Sequence, residues 1–224
     1  MTKEFIYFAD LFGAYFFSIS GALIARRYGK LDAFGIGFVA LLTAVGGGTV
    51  RDWLLNAYPI AWIQQDGYLI SIVLGVVTAF VLTKSLSKLN RLINVVDTLG
   101  VAFFAMAGLE KSLHFEAGPV AAIFLGMLSG TCGGILRDIT CNEIPRIFRS
   151  EWYATLLLGG GLIKVLLQFG LEVDPFKASI AGCIVIILAR LYVLGHFRKL
   201  RKRIGMKIQK FRKKIGALRA LNYQ

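Results

Sequence analysis

Two copies of one motif place an arginine and an aspartate after consecutive glycines, each inside a long apolar stretch. The first copy is GGGTVRD at residues 46–52, and the second is CGGILRD at residues 132–138. Glycines weaken a helix, and a guanidinium beside a carboxylate is stable at membrane depth only where both groups face protein or water. The pattern therefore favours the binding or passage of a polar solute inside a membrane.

The glycines and the polar residues around them form the first candidate set. Each consecutive glycine costs about 1 kcal/mol of helix propensity relative to alanine, so we expect a kink or local unwinding; close packing of helices is the alternative. Freed carbonyls and neighbouring hydroxyls would line a route for a cation, unless the hydroxyls bond their own helix. The predicted pore or kink residues are Thr43, Gly46, Gly47, Gly48, Thr49, Ser129, Thr131, Cys132, Gly133 and Gly134.

Charged residues inside the apolar stretches form the second candidate set. A charge against lipid costs roughly 2.5–3.5 kcal/mol on insertion scales, so these residues should face inward. We predict that Asp10 lies near Arg51 and that Asp97 lies near Arg137, either as structural pairs or as part of a conduction route. Lys111 is either a lysine at the membrane interface or a functional break in symmetry. The charged set is Asp10, Arg51, Asp52, Asp97, Lys111, Arg137 and Asp138.

The apolar residues come in blocks long enough to cross a membrane. The chain has 224 residues, of which 56% are hydrophobic and 17% charged, and its mean hydropathy is +0.66. A spanning helix needs about 20 apolar residues. Seven blocks meet this length, at about residues 5–25, 33–55, 67–86, 93–113, 117–139, 152–170 and 176–197. We predict an all-α membrane protein with one seven-helix domain over residues 1–197 and a basic tail at 198–224.

The first three helices repeat as helices four to six. Asp10 and Gly13 recur 87 residues later, and Arg51 and Asp52 recur 86 residues later. Because three is an odd number, the second copy enters the membrane from the opposite side. The chain is therefore predicted to contain two inverted three-helix repeats, at about residues 5–86 and 93–170, plus a seventh helix. This architecture is typical of proteins that move solutes.

Basic residues gather on one side of the predicted membrane domain. They include eleven lysines and arginines between residues 198 and 219, within a net charge of +13. The positive-inside rule places the amino terminus outside and the carboxyl terminus in the cytoplasm. The tail either forms an interfacial helix on anionic lipid or is a solvated segment that fixes topology. We do not expect it to bind nucleic acid.

The sequence does not favour an enzyme. The segment VGGGTVRDWLL resembles a signature of tRNA nucleotidyltransferases, but that chemistry needs paired metal-binding aspartates, and the chain has no Asp-x-Asp. Its three cysteines and two histidines lack the spacing of metal ligands. We therefore expect no catalytic residue and no metal site.

The seven spans, the inverted repeats and the two glycine-rich Arg-Asp motifs together resemble the bacterial TRIC channels, the trimeric intracellular cation channels. The resemblance covers about the first 200 residues. It implies a homotrimer in the bacterial inner membrane, in contact with membrane lipids, with a pore in each protomer and helices kinked at the motif glycines. The only bound species would be permeant potassium or sodium ions. Cys132 stands where the first motif has Gly46, which implies a milder second kink.

Three classes of function follow from these patterns. A passive, potassium-preferring channel is the leading hypothesis. The alternative is a secondary transporter of a small solute, such as a glycine-like amino acid, because a broken-helix inverted repeat also serves alternating access. A structural or regulatory membrane scaffold is the third.

Overall fold

The protein is a bundle of helices. The computed structural model describes residues 2–82, 89–148 and 152–195. Its main helices are Thr2–Tyr28 (α1), Ala33–Leu54 (α2), Gly67–Leu82 (α3), Leu89–His114 (α4), Pro119–Thr140 (α5), Tyr153–Gly170 (α6) and Pro175–Gly195 (α7). Short helical turns at Ala61–Gln64 and Arg146–Phe148 occupy the matching connections after α2 and α5. The end of α6, Leu166–Gly170, is a π-helix.

Each of the seven predicted blocks corresponds to a helix, which confirms the all-α class and the seven-helix fold. Six of these helices are long and apolar enough to cross a membrane, and α3 is a shorter apolar helix. The predicted third block continues through residues 83–86, which lie outside the described residues. The predicted tail at residues 198–224 also lies outside them.

Apolar side chains cover the outside of the bundle, and charged side chains lie inside it. On α3, Ile70, Val73 and Val77 each expose more than half of their surface. By contrast, Asp97 and Arg137 are 0% exposed. This distribution is the reverse of that in a soluble protein, and it suits a bundle whose outer surface contacts lipid.

The two motif helices end in the same turn. Asn56 and Asn142 have φ angles of 53° and 52°, in the left-handed region that asparagine tolerates better than most residues. The residue after each asparagine donates its backbone N–H to the carbonyl of Asp52 or Asp138, at 2.8 Å in both cases. The sequence repeat is thus also a repeat of backbone structure.

The contacts between α1 and α4 show that the second repeat is inverted. A Cβ atom added to Gly13 would lie 2.7 Å from the ring of Phe104, and one added to Gly100 would overlap the ring of Phe17. As the residue number rises along α1, the number of its partner on α4 falls, so the two helices are antiparallel. Corresponding helices of the two repeats therefore run in opposite directions, as predicted.

Candidate functional site

The first ion-pair cluster joins helices at the end of the bundle where α1 begins, which we call the amino-terminal face. Arg51 on α2 donates from Nη1 and Nη2 to the two carboxylate oxygens of Asp10 on α1, each at 2.9 Å. Its Nε donates to Asp52 at 2.8 Å. Lys111 on α4 donates to the same oxygen of Asp52, also at 2.8 Å, and Tyr68 donates to Asp10 at 3.2 Å. The predicted Asp10–Arg51 pair is confirmed as a two-pronged interaction.

The second cluster lies at the opposite end of the bundle, where α7 ends, which we call the carboxyl-terminal face. Arg137 on α5 donates from Nη1 to Asp97 Oδ1 on α4 at 2.6 Å and from Nε to Asp138 at 2.8 Å. Ser20 on α1 accepts from Arg137 at 2.8 Å, and Tyr153 donates to Asp97 Oδ2 at 3.3 Å. The predicted Asp97–Arg137 pair is therefore also confirmed.

Two further arginines make the second cluster different from the first. Nη2 of Arg190 on α7 lies 3.2 Å from Asp97 Oδ2, and Nη1 of Arg146 lies 3.4 Å from the same atom. With Arg137, three guanidiniums thus surround Asp97 and Asp138, which gives this cluster one excess positive charge. In the first cluster, two cations and two carboxylates balance.

The motif aspartates also fix the connections that follow their helices. One oxygen of each faces the neighbouring arginine, and the other oxygen accepts a backbone N–H from the next helical turn. Asp52 Oδ2 accepts from Ala61 at 3.2 Å, and Asp138 Oδ2 accepts from Arg146 at 3.1 Å. In each Arg-Asp pair, the arginine therefore ties two helices together, and the aspartate positions a loop against them.

The motif helices do not unwind at their glycines. Both α2 and α5 are α-helical through the whole motif, so the unwinding predicted at residues 46–48 and 133–134 is wrong, and the kink stays a prediction. A continuous helix satisfies its own backbone N–H and C=O groups, which carries greater weight inside a membrane than the low helix propensity of glycine. Cys132, the counterpart of Gly46, is half-buried in this segment.

The glycines instead allow α2 and α5 to cross in close contact. A Cβ atom added to Gly47 would overlap the carbonyl oxygen of Ser129, and one added to Gly133 would overlap the carbonyl oxygen of Thr43. These two contacts correspond to each other in the two repeats, and only glycine leaves room for them. Close packing, the alternative interpretation, is therefore the role that the structure gives to this pair of glycines.

The predicted hydroxyls mostly bond within their own helices. Thr43, Thr49 and Thr131 each donate to the carbonyl four residues earlier, at 2.6, 2.8 and 2.9 Å. Thr49 also accepts a hydrogen bond from Trp62 Nε1 at 3.0 Å. Ser129 Oγ is buried and has no hydrogen-bond partner among the described residues. Of this set, Thr49 is the hydroxyl that links the motif to the following loop.

A polar vestibule leads from the amino-terminal face to the first ion-pair cluster. The cavity has a volume of about 300 Å³ and reaches Asp10, Tyr68 and Lys111. A space of about 10 Å³ lies beside Gly48 and Arg51, which is about the volume that one water molecule needs. The corresponding space beside the second motif has no measurable room for water. Among the described residues, the vestibule is therefore open at the amino-terminal face, and the space narrows to about 10 Å³ beside the first cluster and closes beside the second.

Several residues of the clusters carry signals that the sequence reasoning did not use. Tyr68 and Tyr153 begin the third helix of each repeat, so extending the repeat comparison would have found them. Arg190 is a charged residue within the last apolar block. Outside the two clusters, Lys164 is a charged residue within the sixth apolar block: it is 0% exposed, and its Nζ lies 2.6 Å from Glu110 Oε2. A search for charges within spans would have found both.

Comparisons with known proteins agree with the duplicated helical architecture. The sequence model of a family described as glycine transporter matches residues 7–84 and 94–168, which correspond to the two repeats. The UPF0126 inner membrane protein YadS of Escherichia coli K12 is 35% identical over 196 residues, covering 87% of this chain and 94% of YadS.

Solved structures agree in fold as well as in sequence. The TRIC trimeric intracellular cation channel orthologue from Rhodobacter sphaeroides is 34% identical, with a TM-score of 0.78 over 85% of this chain and 98% of that chain. A prokaryotic TRIC channel is 26% identical, with a TM-score of 0.74 over 84% of this chain and 96% of that chain. The sequence model described as glycine transporter matches both repeats, and the helices superpose on those of a solved TRIC channel. The chain therefore belongs to the bacterial TRIC family, which this sequence model describes.

Proposed function

We propose that the protein is a passive, potassium-preferring cation channel with a separate pathway in each protomer. The observation that carries this proposal is a polar vestibule whose floor is a buried carboxylate–guanidinium network inside an apolar bundle. Ionisable groups inside a membrane domain are costly to bury, and residues that are kept despite this cost mark functional or packing sites. The similarity to a structure described as a cation channel, over almost its full length, supports the same conclusion.

In this proposal the carboxylates attract cations and the arginines close the route. Asp10 lines the vestibule, and Asp52 lines the small space behind it, so a cation that enters would meet Asp10 first and Asp52 next. Their oxygens are occupied by Arg51 and Lys111 in this structure. Conduction requires these interactions to loosen, so that a cation replaces a guanidinium or ammonium as the partner of a carboxylate. The channel needs no cofactor, metal site or catalytic residue, since potassium or sodium ions only pass through it.

The proposed assembly is a homotrimer in the bacterial inner membrane. The Rhodobacter sphaeroides relative is described as trimeric, and the Escherichia coli relative is named an inner membrane protein. The amino terminus lies outside and the carboxyl terminus in the cytoplasm, because the basic residues of the sequence concentrate on one side. The basic tail at residues 198–224 contacts anionic lipid.

A secondary transporter of a glycine-like amino acid is the second candidate. The family description favours it, and the vestibule offers paired charges of both signs, as a zwitterion requires. A cavity of about 300 Å³ that is closed below its floor also suits one state of an alternating-access cycle.

Recordings of the purified protein in planar bilayers test the proposal. We expect discrete current steps in symmetric potassium chloride, a reversal potential close to that of potassium in a gradient, and a larger conductance for potassium than for sodium. The matched measurement is uptake of labelled glycine into liposomes that contain the same protein. Saturable glycine uptake without current steps would replace the channel with the transporter, and the absence of both would favour the scaffold.

A further inference from the structure

The two ion-pair clusters differ at one carboxylate oxygen. In the first cluster, Arg51 uses both terminal nitrogens to bind both oxygens of Asp10. In the second, Arg137 binds only Oδ1 of Asp97. The Nη2 atom of Arg137 is buried and has no hydrogen-bond acceptor among the described residues, although it lies 2.8 Å from Asp138 in poor geometry. The same motif therefore forms a complete interaction at one face and half of it at the other.

Arg190, which lies outside the two repeats, binds the Asp97 oxygen that Arg137 leaves unbound. Asp97 Oδ2, the counterpart of the oxygen that Arg51 Nη2 binds, lies 3.2 Å from Nη2 of Arg190 on α7. Arg190 is 5% exposed, its Nε donates to Thr98 at 3.3 Å, and its guanidinium lies 3.9 Å from the ring centre of Tyr153. All of its described partners belong to the second repeat. Among the described residues, no cation of α7 lies at the corresponding position beside Asp10 in the first repeat.

The distances indicate competition for Asp97 Oδ2. Arg190, Tyr153 and Arg146 all lie 3.2–3.4 Å from this oxygen, whereas the hydrogen bonds of Arg51 to Asp10 measure 2.9 Å. A carboxylate oxygen has about two lone-pair directions. At Asp97 Oδ2 they are taken by Tyr153 and Arg190, as Tyr68 and Arg51 take them at Asp10 Oδ2, so Arg190 stands where Arg137 Nη2 would bind. The tie between α4 and α5 at the carboxyl-terminal face therefore has one Arg–Asp hydrogen bond, at 2.6 Å, where the tie between α1 and α2 at the amino-terminal face has two, at 2.9 Å.

We propose that Arg190 is a positioning residue that holds the second ion-pair cluster half-formed, so that of the two clusters the one at the carboxyl-terminal face opens more readily. It acts through Asp97 and the ring of Tyr153, and it does not itself line the described space beside the second motif. The electrical part of this inference rests on the proposed channel function. The structural part, competition between Arg190 and Arg137 for one oxygen, does not.

Single-channel recording of R190Q tests the electrical part. Without the competing guanidinium, Arg137 can bind both oxygens of Asp97, so we expect the open probability to fall roughly five-fold, the effect of one net hydrogen bond on an equilibrium. The current through each open channel should stay unchanged. R190K keeps the charge but loses the planar fork, so its open probability should lie between R190Q and wild type. An open probability for R190Q at or above that of wild type would overturn the proposal.

A matched control lies on the same face of the bundle. Arg27 pairs with Glu143 and donates to Asn90 at 3.0 Å, and it has no described contact with Asp97. R27Q should therefore keep the wild-type open probability. If R27Q lowered it as much as R190Q does, the effect would follow from any lost positive charge on this face, and the specific role of Arg190 would be rejected.

A structure of R190Q tests the structural part independently of any current. We expect Arg137 Nη2 to move within about 3 Å of Asp97 Oδ2, as Arg51 already lies near Asp10. An Nη2 atom that stays without an acceptor would refute the competition. If R190Q does not fold, the structure of R190M decides the same point, because a methionine side chain cannot donate to Oδ2 and Arg137 Nη2 should again lie within about 3 Å of that oxygen. A wild-type protein without cation current would reject the proposed function alone.

Discussion

Single side chains decide how the buried charges are balanced. The first cluster sets two cations against two carboxylates, and the second sets three cations against two. The pairs Asp10–Arg51 and Asp97–Arg137 could be predicted from the sequence, because the repeat places the same two residue types at mirrored depths. The contribution of Arg190 could not be predicted in this way, because α7 has no counterpart within the duplication.

Removal of the central carboxylate should be more damaging in the second cluster than in the first. D10N leaves two cations facing one carboxylate, whereas D97N leaves three. Loss of one partner of a buried pair costs about 3–5 kcal/mol, so we expect D10N near the lower value and D97N at or above the upper one. Reversible unfolding in mixed detergent micelles measures the difference. Equal losses would show that Arg146 and Arg190 contribute nothing to the electrostatics of Asp97.

Lys111 provides a second prediction about single charges. It donates to Asp52 across the two repeats, and its side chain, 15% exposed, lines the vestibule. K111Q removes a positive charge from the path proposed for cations, so we expect a larger single-channel potassium conductance. K111R keeps both the charge and the contact, and it should conduct like wild type. A conductance of K111Q equal to or below that of K111R would place the cation route elsewhere.

Among the helices, length and order could be predicted well and local geometry could not. Blocks of apolar residues located α1 to α7 because a spanning helix must be long and apolar. The unwinding predicted at residues 46–48 and 133–134 was wrong because helix propensity describes an isolated helix, whereas Gly47 and Gly133 lie where two helices cross. The backbone carbonyls of Thr43 and Ser129 occupy the space that a side chain would need, and a sequence does not show which helix will be the neighbour.

Substitutions at Gly47 and at Gly48 test separately whether these glycines serve close packing or helix flexibility. A Cβ atom at Gly47 would overlap the backbone of α5, whereas one at Gly48 would have its nearest neighbours at 3.8 Å. We therefore expect G47A to lower stability by at least about 2 kcal/mol, as overpacking does, and G48A to be neutral or slightly stabilising. Detergent unfolding of both variants checks this.

The second repeat supplies an independent copy of the same comparison. Gly133 corresponds to Gly47, and Gly134 corresponds to Gly48, with its nearest described neighbour 3.5 Å from an added Cβ atom. G133A should therefore destabilise and G134A should not. If the Gly48 and Gly134 variants keep their stability but change the channel open probability, those two glycines contribute flexibility rather than close packing.

At the scale of the whole molecule, the polar features that the proposed conduction route needs lie inside a single protomer. The vestibule, both ion-pair clusters and the crossing of α2 with α5 all lie within one chain. Many large apolar side chains of the described helices face outward, and Phe8 and Phe12 are more than half exposed. A route formed between chains along such a surface would lack polar groups, so each protomer should conduct by itself.

Mixed assemblies test this expectation directly. Subunits with a bulky residue below the floor of the vestibule, such as G48W, should block their own pathway and leave the others open. Purified trimers with one or two blocked subunits, separated by a tag on the variant, should then conduct at about two thirds and one third of the wild-type level, because closed symmetric oligomers contain equivalent protomers. Each remaining step should keep the ion selectivity of wild type. A single blocked subunit that abolished all current would instead indicate one shared route on the symmetry axis, because only there does every ion meet all the subunits.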